Sequence, residues 1–456
     1  MTSPHPRAPH DASSPVWAKG PIWTAGNTPL ARYVARPVRE FLRVESSSSF
    51  LLLLAAAVAL VWANSPWSDD YAAFWHAELT IELGTFHIQE TLQHWVNDAL
   101  MVIFFFVVGL EIKHELVNGD LRDPKTAALP IIAAVGGMAV PALIYLAIAA
   151  GGEAGSGWGI PMATDIAFAV GVLGLLGRRI PSAAWIFLLT LAIVDDIGAI
   201  VVIALFYTDD LRLVWLGVAV GLLAVMVGMR LLRIWAIPAY VVVGIAAWFA
   251  TLESGVHATL AGVAIGLITP ATSLLKVDVA TENAQQALAD RELDPDELAR
   301  LQFLLNESVP MVERLQNRLH PFSAYVVLPV FALANAGVDL GGAGDAITSA
   351  VGLGIVAGLV LGKPVGILLA CFVAVRLGLG RLPDRTSWQQ VAGLGTVAGI
   401  GFTVSLFIAG LSFPGSEALT EDAKIGILLA SVVAAVVGVL LLLVSSPKER
   451  DAPDVE

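Results

Sequence analysis

Twelve long apolar runs constrain the fold of this chain more than any other feature of its sequence. A transmembrane helix needs about 20 mostly apolar residues. The runs lie near residues 48–64, 94–112, 127–150, 160–177, 182–207, 211–229, 236–252, 256–272, 321–340, 350–375, 387–413 and 423–444. They are longer and more continuously apolar than the alternating strands of a membrane barrel. The sequence therefore predicts an all-α polytopic membrane protein with twelve transmembrane helices, numbered below as spans one to twelve.

The composition agrees with this fold class, and the basic residues orient the chain. With 57% hydrophobic residues, 14% charged residues and a mean hydropathy of +0.76, the chain is far more apolar than a soluble domain. All of its 26 Lys and Arg residues except Arg212, Lys424 and Lys363 lie at the termini or in every second loop. Cytoplasmic loops of membrane proteins are enriched in Lys and Arg. We therefore predict a multi-pass protein of the cell membrane with both termini in the cytoplasm.

Three segments divide the chain. Residues 1–45 are rich in proline and polar residues and predict a flexible cytoplasmic arm. Residues 46–445 form the predicted twelve-helix domain, and residues 446–456 form a short cytoplasmic tail.

Two loops of the central domain carry local structure signals. In the longest internal loop, 273–319, which is predicted to be cytoplasmic, Asp294, Pro295 and Glu297 fit the start of a short surface helix. In the first external loop, residues 79–90 alternate between apolar and polar side chains around a glycine. This alternation fits a small hairpin, and a plain loop is an equally good interpretation.

Four ionisable side chains interrupt the apolar runs. Asp195 and Asp196 lie near the middle of span five, Asp165 follows Thr164 in span four, and Lys363 lies near the middle of span ten. A charge at the centre of a spanning helix costs roughly 2.5 to 3.5 kcal/mol, so it needs a partner, a wet cavity or a function. Because three acids cannot all pair with one base, at least one acid is left to titrate or to bind a cation.

Each of these residues also has a structural interpretation. Asp165 can be a helix cap at a broken span, and Lys363 can extend its side chain to the membrane interface. A structural ion pair explains one of the two adjacent aspartates but not both. Neighbours on a helix point about 100° apart, so one of Asp195 and Asp196 can meet Lys363 while the other faces a cavity.

The spans that carry these groups look broken. Span four opens with "GWGIPMATD" and span eleven contains "GLGTVAGIGFT", and both are rich in glycine. They are the centres of two triplets, spans three to five and ten to twelve, whose odd offset predicts an inverted repeat. A binding site is expected where such broken helices cross. Its ligands would all be oxygen atoms, which suit a hard cation such as Na⁺ rather than zinc or copper.

Several longer motifs resemble those of the NhaA-type sodium/proton antiporter family. They are "ATDIAFAVGVLGLLG", "LTLAIVDDIGAI", "LESGVHATLAG", "LHPFSAYVVLPVFALANAGV" and "GKPVGI", and the resemblance extends over residues 45–445. Inverted repeats are described for this family, so the repeat is not independent of the resemblance. The resemblance implies twelve helices with spans four and eleven unwound and crossed, a cytoplasmic funnel and a homodimer. It also implies electrogenic exchange of more than one H⁺ per Na⁺ or Li⁺.

The resemblance assigns roles to the intramembrane residues. Asp196 matches the carrier of cation and proton, and Asp195 is similar to the acid that pairs with the lysine of span ten, here Lys363. Thr164 and Asp165 match the hydroxyl and the acid of the unwound span four. Together with Asp195 and Asp196, Thr164 completes the predicted exchange site, which Asp165 and Lys363 support.

A pH-responsive cluster is implied as well. Its members are Glu111, His114, Glu115, His257 and His320. His114 stands where the family usually has an arginine, and Gln316 and Asn317 stand where an acid and a histidine are familiar. These departures leave the pH threshold open, whereas the transport residues match.

Two other functions compete with antiport. An intramembrane aspartyl protease would use Asp165 with Asp196, but the "GxGD" context is absent from both positions. A sodium-coupled solute symporter on a related inverted-repeat fold would need a further pocket for an organic substrate, which the sequence neither shows nor excludes. The preferred prediction is a secondary transporter, not an enzyme, with no cofactor and no nucleic-acid partner.

Overall fold

The structure is a computed structural model, and it describes residues 47–83, 86–208, 211–234, 236–289 and 294–445. The predicted arm, residues 1–45, and the predicted tail, residues 446–456, lie outside the described residues.

The described chain consists mainly of helices. In its first half these are α1 Ser47–Ala63, α2 Ser68–Trp75, α3 Leu92–Val117, α4 Pro124–Ala149, α5 Ile166–Leu176, α6 Ser182–Phe206, α7 Leu213–Leu231, α8 Ile237–Glu253 and α9 Thr259–Ile268. In its second half they are α10 Val277–Ala289, α11 Pro295–Glu307, α12 Met311–Phe322, α13 Leu328–Asn335, α14 Ala343–Thr348, α15 Ala350–Arg376, α16 Trp388–Val397, α17 Phe402–Ser412 and α18 Glu417–Ser445. A 3₁₀ helix, Gly152–Met162, precedes α5.

A helix lies at each of the twelve apolar runs, but not every helix is long enough to cross a membrane. Among the described residues, six helices are long and apolar enough on their own, and nine spans result if each bent pair of helices counts as one. The helix α9 has ten residues and α8 has 17, both short against the roughly 20 that a bilayer requires. The all-α membrane fold is therefore confirmed, and the number twelve and the inverted repeat stay predictions.

The predicted breaks in spans four and eleven are present. The chain bends by 44° between the 3₁₀ helix Gly152–Met162 and α5, and by 50° between α16 and α17. The backbone between the two halves is not helical at residues 163–165 and 400–401. The two breaks contact each other, since the backbone N–H of Asp165 donates to the carbonyl of Ile400 at 2.7 Å.

Glycines bring α4 and α15 into close contact. A Cβ atom added at Gly136 would lie 2.4 Å from the carbonyl oxygen of Gly366, and one added at Gly366 would lie 2.2 Å from the carbonyl oxygen of Gly136. Small residues allow such approach between helices in a membrane, where packing rather than hydrophobic burial holds them together. This contact fixes the helix that carries Lys363.

The structure decides between the two interpretations of the first external loop and confirms the helix start predicted in the internal loop. The strands β1 Glu78–Leu83 and β2 Phe86–Thr91 pair antiparallel as a hairpin. Asp294 is the N-cap of α11, accepting the N–H of Glu297 at 2.7 Å. The hairpin precedes α3, and α12 packs against the opposite end of α3, where Nε2 of His114 lies 3.9 Å from Oε1 of Glu313. We name these two ends of the molecule the hairpin side and the loop side.

Candidate functional site

The adjacent aspartates lie on α6 and are both buried. Asp195 is fully buried, and its Oδ2 lies 2.7 Å from Nζ of Lys363, which is also fully buried. The same ammonium group donates to the main-chain carbonyl of Met162. Lys363 therefore does not reach the membrane interface, and the pairing expected for Asp195 is present.

Thr164 joins this pair to span eleven. Its Oγ1 lies 2.7 Å from Oδ2 of Asp195 and 2.9 Å from the carbonyl oxygen of Ala398. A threonine hydroxyl has one proton to donate, so it serves one of these two acceptors at a time. The carbonyl of Ala398 follows the last residue of α16, where helical partners are missing.

Asp165 accepts hydrogen bonds from the first turns of two helices. Its Oδ1 accepts the N–H of Phe168 at 3.0 Å, which makes it the N-cap of α5. Its Oδ2 accepts the N–H of Thr403 at 2.9 Å and the hydroxyl of the same residue at 2.7 Å. One buried carboxylate thus satisfies the first turns of both α5 and α17, which belong to different broken spans.

The charges at the crossing match the ends of the half-helices. The negative Asp165 lies at two helix N-termini, where helix dipoles are positive. The positive Lys363 binds the carbonyl at the C-terminal end of the 3₁₀ helix, where a helix dipole is negative.

Asp196 faces a different environment from its neighbour. It lines a cavity of about 70 Å³, together with Thr164, Asp165 and Thr403. Its Oδ1 is buried and has no hydrogen-bond partner among the described residues. The cavity has room for water molecules or a small cation. The divergence of the two aspartates follows from their separation of about 100° around the helix axis.

A larger cavity of about 600 Å³ lies on the loop side. Glu111, His114, Glu115 and His320 contribute to its wall. Glu111 and His320 also line the small cavity at Asp196. The two cavities are therefore neighbours. We call the larger one the funnel.

Four of the five residues of the predicted pH cluster lie together, and the fifth does not. Glu111, His114, Glu115 and His320 share the funnel wall. The ring of His257 instead contacts the main-chain carbonyl of Tyr207, which follows the last residue of α6. The funnel touches the opposite end of α6, so the structure places His257 on the hairpin side.

Some residues of the site were not assigned a role from the sequence. Thr403 and the carbonyls of Met162 and Ala398 complete the crossing. At the funnel, Nε2 of His114 lies 3.9 Å from Oε1 of Glu313. Thr403 could have been selected from the sequence because it is the last residue of the glycine-rich run "GLGTVAGIGFT". Every residue has a main-chain carbonyl, so the sequence does not show which carbonyls belong to the site.

Comparison with known proteins gives one family. The family model described as Na⁺/H⁺ antiporter 1 matches residues 39–442. The chain is 48% identical over 411 residues to the Na⁺/H⁺ antiporter NhaA 3 of Frankia alni, covering 90% of this chain and 89% of that one. It is 47% identical over 433 residues to the Na⁺/H⁺ antiporter NhaA of Rhodopirellula baltica, covering 92% and 96%. It is 46% identical over 422 residues to the NhaA 2 antiporter of Sorangium cellulosum, covering 90% of each.

Proposed function

Because the chain belongs to the Na⁺/H⁺ antiporter 1 family, we propose that it exchanges Na⁺ for H⁺ across the membrane and that Asp196 carries both ions. The observation that carries this proposal is the buried carboxylate of Asp196, which faces a small cavity next to the funnel and has an oxygen without a partner. A cation and a proton are the two species that stabilise such a carboxylate.

Membership of this family also distinguishes between the two candidate classes of function, a transporter and an enzyme. Its members are secondary transporters, so the chain is a multi-pass membrane transporter and not an intramembrane protease. The geometry supports this distinction, because both oxygens of Asp165 already accept hydrogen bonds. An aspartyl protease needs two carboxylates that share a proton.

Exchange follows from competition at Asp196. One carboxylate cannot hold Na⁺ and H⁺ together, so in alternating access each return movement carries the other ion. Thr164, which lines the same cavity, supplies a hydroxyl oxygen for the cation, and water supplies further ligands. Asp165 acts through its charge and as a cap. Li⁺ has the same preference for oxygen ligands and competes at the same site.

Asp195 accounts for a second proton and therefore for electrogenic transport. It is held by Lys363 and Thr164 in this structure. When the ion pair opens, a buried carboxylate without its cation takes up a proton. Exchange of two protons for one Na⁺ moves net charge across the membrane.

The funnel is the place where pH acts on transport. Its wall combines Glu111, Glu115, His114 and His320, and histidine changes charge near physiological pH. His257 contributes separately, from the hairpin side. We place the loop side in the cytoplasm of the cell membrane and assign the hairpin to the contact between the two copies of a homodimer.

The test is proton movement in liposomes that contain the purified protein and a pH gradient. Addition of Na⁺ or Li⁺, with no organic solute present, should collapse the gradient. Asp196→Asn should abolish the response, whereas Asp345→Asn, which neutralises an exposed carboxylate on α14, should leave it unchanged. A proton flux that appears only when a solute is added would favour the symporter, and a full response of Asp196→Asn would exclude Asp196 as the carrier.

A further inference from the structure

A second large cavity opens on the loop side, away from the crossing of the broken helices. It measures about 670 Å³ and lies between the first turns of α4, the first turns of α6 and the connection that follows α15. Lys125 and Arg381 contribute to its wall, and Leu129, Ile186 and Phe187 form part of its apolar surface. We call it the lateral cavity. It takes no part in the mechanism proposed above.

The wall of the lateral cavity is charged at one end and apolar at the other. Lys125 and Arg381 are exposed, and among the described residues neither has a carboxylate oxygen within 4.0 Å. Asp120 is the acidic residue in the wall. Along α6 the cavity extends from Ala183 to Thr190, which is about 10 Å at 1.5 Å per residue. It therefore runs from the basic end of these helices into their apolar part.

Part of the apolar wall of the lateral cavity is exposed. Ile186 is 49% exposed and Leu379, which also lines the cavity, is 54% exposed. An acyl chain inside the cavity can therefore contact both side chains.

From this arrangement we propose that the lateral cavity binds one anionic phospholipid, with the phosphate between Lys125 and Arg381 and an acyl chain along the exposed side chains of Ile186 and Leu379. Lys and Arg bind phosphate oxygens through charge-assisted hydrogen bonds, and basic pockets between membrane helices bind anionic head groups. A free phosphate would leave the apolar surface uncovered. A zwitterionic lipid would leave the two positive charges without net compensation.

Occupancy of this site also bears on the funnel. Ile186 lines both the lateral cavity and the funnel, so the first turns of α6 form a shared wall. The same helix carries Asp195 and Asp196. A lipid in the lateral cavity restrains the start of α6. The lipid site itself does not depend on which ion is transported.

The test measures lipid binding without transport. The full chain is purified in detergent and its thermal midpoint is followed while cardiolipin, phosphatidylglycerol or phosphatidylcholine with matched acyl chains is added. The double variant Lys125→Gln/Arg381→Gln removes the two basic groups. The matched control Lys276→Gln/Arg318→Gln removes two exposed charges outside the cavity, one directly before α10 and one on α12.

We expect the anionic lipids to raise the midpoint of the wild type and of the control, and phosphatidylcholine to have little effect. The cavity variant should bind anionic lipid about thirtyfold more weakly, corresponding to about 1 kcal/mol for each basic residue. Equal shifts in both double variants, an equal effect of phosphatidylcholine, or the same shift with inorganic phosphate alone would each overturn the proposal. So would a shift that occurs only with a change in oligomeric state, because a second copy would then occupy the cavity.

Discussion

At the scale of the residue, the two adjacent aspartates have different surroundings although they share one helix. Asp195 is held by Lys363 and Thr164, whereas Asp196 faces the small cavity. A buried ion pair contributes little compared with apolar residues of the same shape, but the loss of one partner leaves a buried charge uncompensated. Lys363 therefore stabilises the site chiefly by preventing that outcome.

This difference predicts the effect of removing the lysine. Lys363→Met should lower the free energy of unfolding by about 3–5 kcal/mol because it leaves Asp195 without its cation. The measurement is the thermal midpoint of the purified protein in detergent. The double variant Asp195→Asn/Lys363→Met should recover most of the loss, and a double variant as unstable as the single one would show that the pair does not hold the site together.

The divergence of Asp195 and Asp196 could be predicted from the sequence because it depends only on helix geometry. The contact between Asp165 and Thr403 could not, because the two residues are 238 positions apart. Such a contact is set by the way the two broken spans pack. The sequence does show that both spans are interrupted, which is a local property of glycine and proline.

At the scale of the element, the broken spans are stable because their free ends find partners within the protein. The C-terminal ends of the 3₁₀ helix Gly152–Met162 and of α16 meet Lys363 and Thr164, and the N-terminal ends of α5 and α17 meet Asp165. In a bilayer, polar backbone groups without such partners would each cost several kcal/mol. The residues proposed for exchange therefore also hold the unwound segments.

Helix packing predicts a second effect on stability. Gly136→Ala should destabilise the protein by about 1–3 kcal/mol, because the new methyl group overlaps the carbonyl oxygen of Gly366. The matched control is Gly217→Ala on α7, where an added Cβ meets nothing within 4 Å. The measurement is the thermal midpoint of each variant relative to that of the wild type, and only Gly136→Ala should show a lower value. If both glycines tolerate alanine equally, the close approach of α4 and α15 does not limit stability.

At the scale of the whole molecule, the two sides carry different groups. The funnel and the lateral cavity open on the loop side, whereas His257 and the hairpin lie on the other. The sequence assigned His257 to the cluster of Glu111 and His320 by resemblance alone. In a chain that crosses the membrane many times, separation in sequence does not show which residues lie on the same side of the membrane. The folded structure is needed to assign His257 to the hairpin side and the other four residues to the loop side.

The predicted topology can be measured on the whole chain. Twelve spans place both termini in the cytoplasm, so epitope tags at residues 1 and 456 should resist protease in intact cells and be cleaved after permeabilisation. An odd number of spans would place the tags on opposite sides. A cysteine introduced at the exposed Thr80 should react with a membrane-impermeant maleimide in intact cells, since the native Cys371 is buried. Labelling of Thr80→Cys only after permeabilisation would reverse the proposed orientation.

The most direct test of this account is the number of protons released when Na⁺ binds to the purified protein in weakly buffered detergent, followed with a pH indicator. The wild type and Asp345→Asn should release protons on addition of NaCl and none on addition of choline chloride. Asp196→Asn should release fewer than about a tenth as many, because the amide neither binds Na⁺ as a carboxylate does nor has a proton to give up. Release of as many protons from Asp196→Asn as from the wild type would contradict the claim that one carboxylate alternates between Na⁺ and H⁺.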